Sequence, residues 1–572
     1  MRTRIFSLIL IICLAFLVSG LAYVQIFRHE TYKVMSEDNR LKVVPLMAPR
    51  GNILDRNGKV LVKDVLCFNV AVIYSRIKDK QDLVDLLSSV LGEEKGQISK
   101  KIDKGRSQPY SLTYIASDIG IEKATYLEEA GMDYPGLLLD VSTRRRYLNG
   151  NVASNVLGYL GLINRAEFER LKQYGYRFND LVGRDGVERR YDRYLRGTHG
   201  GKQVEVDHRG REMTTLGYKE PIPGRDVYLT IDSDLQKYCD GLLEGKRGAI
   251  VAMDPSSGAI FAMASSPNYD PEIFIDRKRS DAVQAVLEDK KYPLLNRAIS
   301  GAYPPGSVFK VVVATGALET GKAVPETTFS CSGSYTLGRK TFHCWRKSGH
   351  GQQVLDEAIK NSCNVYFYQL GGLLGVDDIA RYGEKLGLGE RGGIDLPGET
   401  KGLLPTRKWK KKRFNEKWFK GETINYSIGQ GYLLCSPLQI ARMMSVFANK
   451  KFLVRPYVVK RVGKVDTESF VNLEVDISPE TIDVVRSGLW KVVNDPRGTG
   501  QKAKSEDFEI AGKTGTAQTT RGKNHGWFAG FAPFDSPKLT VVVFDEYGGK
   551  GGYYAAETAG KVFKKAKELE II

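Results

Sequence analysis

The chain has 572 residues, 42% of them hydrophobic and 27% charged, which excludes a disordered polypeptide and a single small domain. Its formal net charge of +18 favours an anionic environment such as nucleic acid, anionic lipid or an acidic polymer. Charge alone does not distinguish among these three.

The N-terminus carries an apolar segment preceded by arginines. Arg2 and Arg4 stand before an uncharged run, Ile5 to Val24, which is long enough as a helix to cross a hydrocarbon core roughly 30 Å thick. We predict a cytoplasmic tail at 1–4 and a transmembrane helix at 5–27, with the remainder exported. A cleaved signal peptide is the alternative. Export leaves no role for a nucleic-acid partner.

The exported part divides into two predicted domains. Residues 28–224 mix short extended stretches with charged helical ones and show no catalytic grouping. Pro221, Pro223 and Gly224 form a break, after which a new strand begins. We therefore predict a non-catalytic domain at 28–224 and a second domain at 225–572.

The second domain alternates buried strands with helices. AIVAMD and AIFAMA flank a four-residue turn and predict a buried hairpin, and three further strand-like stretches lie at 509–518, 525–534 and 538–547. Apolar residues at three- and four-residue spacing predict a helix at 555–570. A sheet with packed helices places this domain in the α+β class.

The motif YPPGSVFK holds the strongest candidate for a nucleophile. Ser307 and Lys310 are three residues apart, so their side chains share one face of the predicted helix. A desolvated lysine can lose its proton and accept one from a serine hydroxyl, which is otherwise a poor nucleophile. The pattern predicts an activated serine.

Two further motifs strengthen this prediction, since S-x-x-K alone is common. Ser362-Cys363-Asn364 follows about 55 residues later, and Lys513 to Thr516 spell K-T-G-T on a late strand. This set in this order is typical of enzymes that form an acyl-serine intermediate.

These motifs and several other stretches resemble class B penicillin-binding proteins, most closely the elongation-type branch, over nearly the whole chain. The matching stretches are APRGNILDRNG, GVERRYDRYLRG, LTIDSDLQ, VAMDPSSGAIFAM, YPPGSVFK, SIGQGYLLCSPLQ, GKTGTAQ and HGWFAGFAP. The resemblance implies an α+β architecture with one N-terminal transmembrane helix, an elongated pedestal of the dimerisation type and a transpeptidase domain. It also implies that this last domain is an antiparallel sheet flanked by helices, similar to serine β-lactamases.

The resemblance also implies the chemistry and its residues. It predicts a serine D-Ala-D-Ala transpeptidase or carboxypeptidase that cross-links peptidoglycan stem peptides during cell elongation and rod-shape maintenance, and that β-lactams inhibit. The implied catalytic residues are Ser307, Lys310, Ser362, Asn364 and Lys513. Thr514, Gly515 and Thr516 are the implied substrate-binding residues, with Lys513 and Thr514 on the terminal carboxylate and the Ser307 and Thr516 N–H groups in the oxyanion hole.

The implied location is the inner membrane, single-pass, with a cytoplasmic N-terminus and a periplasmic catalytic domain. Because no glycosyltransferase domain fits in the first 224 residues, the resemblance implies a separate RodA-like glycosyltransferase and an MreC-like scaffold as partners. A division-type relative, a β-lactamase, a penicillin sensor and a catalytically silent scaffold remain alternatives.

A cluster of cysteine and histidine residues frames the predicted active site. Cys331, Cys344, His350 and Cys363 would complete a tetrahedral zinc site with no open position, hence a structural one. A disulfide and unlinked thiols are the alternatives in an exported protein. His343 is a weaker candidate ligand, and catalysis in this family needs no metal.

The segment Arg407 to Glu422 is basic with interleaved aromatic residues. Such a run is typical of a solvated loop, and contact with anionic lipid or an acidic glycan peptide is the functional alternative.

Overall fold

The computed structural model describes residues 2–33, 41–178, 180–207, 212–467, 472–519, 522–549 and 551–572. Two compact units emerge from its contacts. The first comprises Met1–Gly51, Asp64–Arg146 and Arg196–Gly224, and the second Asn52–Lys63, Tyr147–Leu195 and Arg225–Ile572. Each unit is thus assembled from three separate stretches. The predicted division at 224/225 stays a prediction, and it does not anticipate that 52–63 and 147–195 pack with the second unit.

The first unit begins with the apolar segment. An α-helix spans Arg2–Ala22 and continues as a π-helix at Tyr23–Phe27. Within Arg4–Phe27, an 18-residue window has a mean hydropathy of 2.8, and none of that window is buried within the protein. Among the described residues it is the one helix long and apolar enough to cross a bilayer.

The rest of the first unit contains two small groups of strands. Leu41–Leu46, Gly200–Val206 and Glu212–Lys219 form an antiparallel sheet with Gly200–Val206 in the centre. The strand Val60–Ile73, which enters this unit at Asp64, pairs with Leu112–Ala116 and Leu137–Tyr147. The α-helices here span Lys80–Leu91, Lys95–Asp103 and Ile121–Ala130, and short 3-10 helices span Tyr74–Arg76 and Lys104–Ser107.

The second unit is organised around a five-stranded antiparallel sheet. Its order in space is Ile260–Ser266, Gly248–Met253, Leu539–Asp545, His525–Ala532 and Ala511–Ala517. Every residue of the first two strands is buried, which explains why they read as continuous apolar runs instead of alternating ones. The predicted hairpin and the predicted α+β class are confirmed. Ala511–Ala517 forms one edge of the sheet.

Helices surround this sheet. Pro437–Asn449 and Gly551–Glu568 pack against its strands, and Pro479–Asn494 contacts the edge strand. In the last helix Val562, Phe563 and Ala566 are buried, as their spacing predicts, although the helix begins four residues before the predicted start. The remaining α-helices span Ser154–Leu157, Arg165–Leu171, Gly186–Arg190, Asp192–Leu195, Ser233–Leu242, Ser280–Glu288, Lys310–Glu319, Leu355–Lys360, Asn364–Leu374, Val376–Lys385, Arg407–Phe414 and Lys420–Tyr426.

Short elements complete the second unit. Its minor strands are Ile53–Leu54, Leu160–Leu162, Leu181–Gly183, Val227–Leu229, Phe329–Cys331, Ser334–Leu337, Lys340–His343, Gly351–Gln353, Phe452–Leu453, Val459–Val462, Val465–Asp466 and Leu473–Glu474. Its 3-10 helices span Lys172–Tyr174, Pro271–Phe274, Arg277–Arg279, Gly306–Phe309 and Gln501–Ala503.

Candidate active site

Ser307 lies where three backbone segments meet. It belongs to the 3-10 turn Gly306–Phe309, which continues into the buried helix Lys310–Glu319. Gly306 has φ +55°, and a Cβ there would lie 2.5 Å from the Thr516 carbonyl oxygen. Gly429 has φ +72°, and a Cβ there would lie 2.1 Å from the Gly306 carbonyl oxygen. Only glycine permits these approaches, so both residues fix the serine against the edge strand.

Lys310 is fully buried behind the serine. Its Nζ donates to the Ser362 carbonyl oxygen at 2.7 Å and to the Asn364 Oδ1 at 2.8 Å, and it lies 3.3 Å from the Ser362 Oγ. Burial disfavours the charged ammonium and lowers the pKa of Lys310 to about 8, against the weaker opposing effect of the nearby cysteine side chains. A lysine with this pKa is partly neutral near physiological pH and can act as a base.

Ser362 and Asn364 come from a tight connection between two helices. Ser362 has φ +51°, a left-handed conformation that is uncommon outside glycine, and lies between the helices Leu355–Lys360 and Asn364–Leu374. The turn directs the Ser362 backbone and side chain to the same ammonium group. The three residues Lys310, Ser362 and Asn364 therefore form one hydrogen-bonded group.

The edge strand Ala511–Ala517 contributes the last group of predicted site residues. The hydroxyl of Thr514 lies 3.1 Å from that of Thr499, and the side chain of Thr516 is exposed. Lys513 is fully buried and donates to the Thr514 carbonyl oxygen at 3.1 Å. Burial, followed by the charge of Lys310, holds the pKa of Lys513 well below its usual range. A positive charge on Lys310 therefore disfavours a positive charge on Lys513.

A cleft of about 680 Å³ connects these groups. Of the predicted site residues, Ser307, Ser362, Asn364, Thr514, Gly515 and Thr516 line it, whereas Lys310 and Lys513 lie beneath its walls. The lining also includes residues outside the three catalytic motifs, namely Trp345, Ile428, Gln430, Thr499, Lys502 and Tyr553. Ile428 and Gln430 belong to the stretch SIGQGYLLCSPLQ, whose family resemblance is the sequence feature that could have indicated this side of the cleft.

The predicted zinc ligands are brought together beside the cleft. The ligand atoms of Cys331, Cys344, His350 and Cys363 all lie within 4.8 Å of one another. His350 Nδ1 is 3.6 Å from the Cys331 Sγ and 3.5 Å from the Cys344 Sγ. A tetrahedral zinc site with ordinary bond lengths needs about 3.6 Å between sulfur and nitrogen. The two distances from His350 match that value.

The local fold explains this convergence. Cys331 ends a short strand, Cys344 follows a hairpin, and backbone bonds join the two segments: Cys344 N donates to the Gly333 carbonyl at 2.9 Å, and His350 N to that of Cys331 at 3.0 Å. All seven cysteines are unbonded thiols. His343 lies outside the cluster, and its carbonyl oxygen accepts a hydrogen bond from Tyr368.

Comparison with known proteins gives two family matches. Residues 248–567 match the penicillin binding protein transpeptidase domain, and residues 45–229 match the penicillin-binding protein dimerisation domain. The chain is 33% identical to the peptidoglycan D,D-transpeptidase MrdA of Haemophilus influenzae, covering 98% of this chain and 90% of that protein. It is also 33% identical to MrdA of Escherichia coli K12, covering 94% and 89%.

Solved structures agree with these matches. A complex between penicillin-binding protein PBP2 and MreC from Helicobacter pylori contains a chain with a TM-score of 0.80 and 29% identity, covering 93% of this chain and all of that one. PBP2 of Pseudomonas aeruginosa has a TM-score of 0.71 and 30% identity, covering 91% and 96%. The motifs, the fold and the cleft therefore agree with these matches, and the chain belongs to the penicillin-binding protein family, with a dimerisation domain and a transpeptidase domain.

Proposed function

We propose that Ser307 is the acylated nucleophile of a peptidoglycan D,D-transpeptidase of the elongation type. The supporting observation is that one cleft joins Ser307, the hydrogen-bonded group of Lys310, Ser362 and Asn364, and the edge strand with Thr514 and Thr516. MrdA relatives of about a third identity over almost the whole chain support the substrate and the branch.

In the first half-reaction the Ser307 Oγ attacks the carbonyl carbon of the penultimate D-Ala, and Lys310 accepts the hydroxyl proton. The backbone N–H groups of Ser307 and Thr516 stabilise the oxyanion, each contributing roughly 3 to 4 kcal/mol. The peptide C–N bond then breaks, and the departing D-Ala amine receives a proton through Ser362. An ester on Ser307 remains.

In the second half-reaction an amine of a neighbouring stem peptide attacks the ester carbonyl. Ser362 and Lys310 remove a proton from this amine, the C–O bond breaks, and the Ser307 Oγ regains its proton. Asn364 holds the substrate amide, and Thr514 binds the terminal carboxylate while Gly515 leaves room along the strand. Lys513, which is buried on the same strand, binds that carboxylate together with Thr514.

The rate of acylation should depend on the protonation of Lys310. Since the neutral amine is the base, and its pKa is lowered to about 8, acylation by penicillin should rise about tenfold per pH unit below 7 and level off above 8. Stopped-flow acylation between pH 5.5 and 9.5 measures this profile. Lys310→Arg, which keeps a charge that cannot be lost, should be inactive at every pH. A flat profile from pH 6 to 9 would contradict the role of Lys310.

We also propose a structural zinc ion bound by Cys331, Cys344, His350 and Cys363. Three of the four residues are buried, and their spacing suits the ion. Bound zinc would supply a cross-link between the hairpin and the Ser362 turn, because Cys363 lies between Ser362 and Asn364. It would take no part in the chemical steps.

We also propose a single-pass anchor in the inner membrane, with a cytoplasmic N-terminus and a periplasmic catalytic domain. The apolar helix supports the membrane span, and Arg2 and Arg4 before it support the orientation. By analogy with relatives solved with MreC and in a peptidoglycan synthase complex, a RodA-like glycosyltransferase and an MreC-like scaffold are the proposed partners. The proposed contact surface is residues 1–224.

Deletion of residues 1–224 should abolish co-purification with the polymerase, because that deletion removes the proposed surface. It also removes 52–63 and 147–195, which belong to the second unit, so the result is read only on a truncated chain that still reacts with penicillin. Pull-down from detergent-solubilised membranes tests this. A penicillin adduct on the truncated chain serves as the folding control. Co-purification that survives in an adduct-forming truncated chain would refute the assigned surface.

A further inference from the structure

A basic platform borders the wall of the cleft formed by Ile428 and Gln430. We define it as the segment 407–420, which comprises the helix Arg407–Phe414 and the turn up to the next helix. Together with the two following residues it contains eight basic and two acidic side chains. Most of the basic side chains are exposed, namely Arg407, Lys408, Lys411, Lys412, Arg413, Lys417 and Lys420.

The acidic groups of the segment are neutralised internally. Lys410, the one buried lysine here, lies 2.5 Å from the Glu422 Oε1 and 3.4 Å from the Glu416 Oε2, and 4.6 Å from the Phe419 ring centre. Arg407 pairs with Asp377 at 2.9 Å. Four exposed cations, Lys408, Lys411, Lys412 and Arg413, have no acidic partner in the part of the chain that the structure describes. They form an uncompensated positive surface.

The platform is built on an aromatic layer and is not a loose loop. Trp409 packs on Phe414 and Tyr432 with ring centres 5.6 and 5.1 Å apart. Trp418 links Tyr432 to Tyr426 at 6.5 and 6.2 Å. Such pairs hold a helix in one orientation. The positive charges are therefore presented at fixed positions.

The aromatic layer also contacts the segment that carries Ser307. Tyr426 stacks on Phe309, two residues after Ser307, with ring centres 5.2 Å apart. Beyond Tyr426 the chain passes through Ile428 and Gln430, which line the cleft, and the Gly429 carbonyl accepts a hydrogen bond from Gly306 N at 3.0 Å. The platform and the cleft are continuous parts of one packed unit.

We propose that the basic platform binds the carboxylates of peptidoglycan stem peptides and so holds a glycan strand beside the active site. This rests on the proposed function. Every uncross-linked stem peptide ends in a free carboxylate, so a strand that carries many of them is a polyanion. A fixed row of cations raises the local concentration of such a polymer and is screened by salt. Continuity with the catalytic cleft favours this occupant over a lipid surface.

The test uses the full-length protein in neutral detergent and the variant Lys408→Gln, Lys411→Gln, Lys412→Gln, Arg413→Gln. The matched control removes the same charge from exposed residues of the first unit: Lys100→Gln, Lys104→Gln, Arg106→Gln, Lys123→Gln. Co-sedimentation measures binding to purified peptidoglycan and to peptidoglycan whose carboxylates have been amidated. Thermal unfolding verifies that each variant is folded.

At low salt, the affinity of the wild type and of the control for native peptidoglycan should be at least about tenfold higher than that of the platform variant. This difference in affinity should shrink above about 0.3 M salt. Amidated peptidoglycan should bind all three proteins equally weakly. Equal binding by the folded platform variant, equal loss in the control, undiminished binding to amidated material, or a loss seen only with phosphatidylglycerol vesicles would each overturn the proposal. Failure of wild type to form a penicillin adduct would instead refute the proposed function.

Discussion

Replacing Ser307 with alanine should abolish peptidoglycan cross-linking by this chain. The Ser307 Oγ is the atom that forms the acyl intermediate. The rate of cross-linking should therefore fall at least about 10⁴-fold, as in other enzymes deprived of a nucleophilic serine. Mass spectrometry of cross-linked muropeptide dimers, made from polymerised glycan strands, measures the loss. The rest of the cleft should stay intact because Ser307 is only half-buried.

The control for this experiment is Ser280→Ala, which removes an exposed hydroxyl at the start of the helix Ser280–Glu288. It should cross-link at the wild-type rate. Cross-linking that persists in Ser307→Ala within tenfold of wild type would show that another group carries the acyl chain.

Removing the proposed zinc ion should produce the largest loss of stability. Structural zinc sites contribute about 10 kcal/mol or more to the folding free energy of small domains. Loss of only part of this free energy should lower the unfolding temperature by about 10 °C or more. Protein purified under reducing conditions should hold one zinc per chain by elemental analysis. Cys344→Ala should lose the metal and unfold at the lower temperature.

Cys67→Ala is the matched control, since Cys67 is also a buried thiol but lies in the first unit, outside the cluster. It should retain one zinc per chain. Penicillin acylation should slow in Cys344→Ala at temperatures where the protein is folded, because Cys363 lies between Ser362 and Asn364. A folded wild-type chain with less than stoichiometric metal, or with a disulfide among these cysteines, would refute the zinc proposal.

The parts of the site that the sequence predicts are those set by local spacing. Ser307 and Lys310 share a face because they are three residues apart at a helix start, and the motif around Ser362 and Asn364 is equally local. Cys331, Cys344, His350 and Cys363 are grouped by residue type, as three thiols and an imidazole that frame the active-site segment. Their proximity depends on a hairpin and on backbone bonds, which spacing only suggests.

The remaining features depend on tertiary packing. Thr499 lines the cleft from a distant segment that carries no motif of its own. Lys513 is fully buried on the edge strand and donates to the Thr514 carbonyl oxygen, and its motif alone does not predict that burial. Likewise, residues 52–63 and 147–195 join the second unit through long-range contacts. A single domain boundary placed at the Pro- and Gly-rich break near residue 224 cannot predict these contacts.

Intact-mass analysis of the full-length protein after reaction with penicillin, followed by peptide mapping, shows whether Ser307 forms the acyl-enzyme. We expect one long-lived adduct per chain, located on Ser307. An adduct on another residue, one that hydrolyses within seconds, or no adduct on a chain that unfolds cooperatively would contradict it.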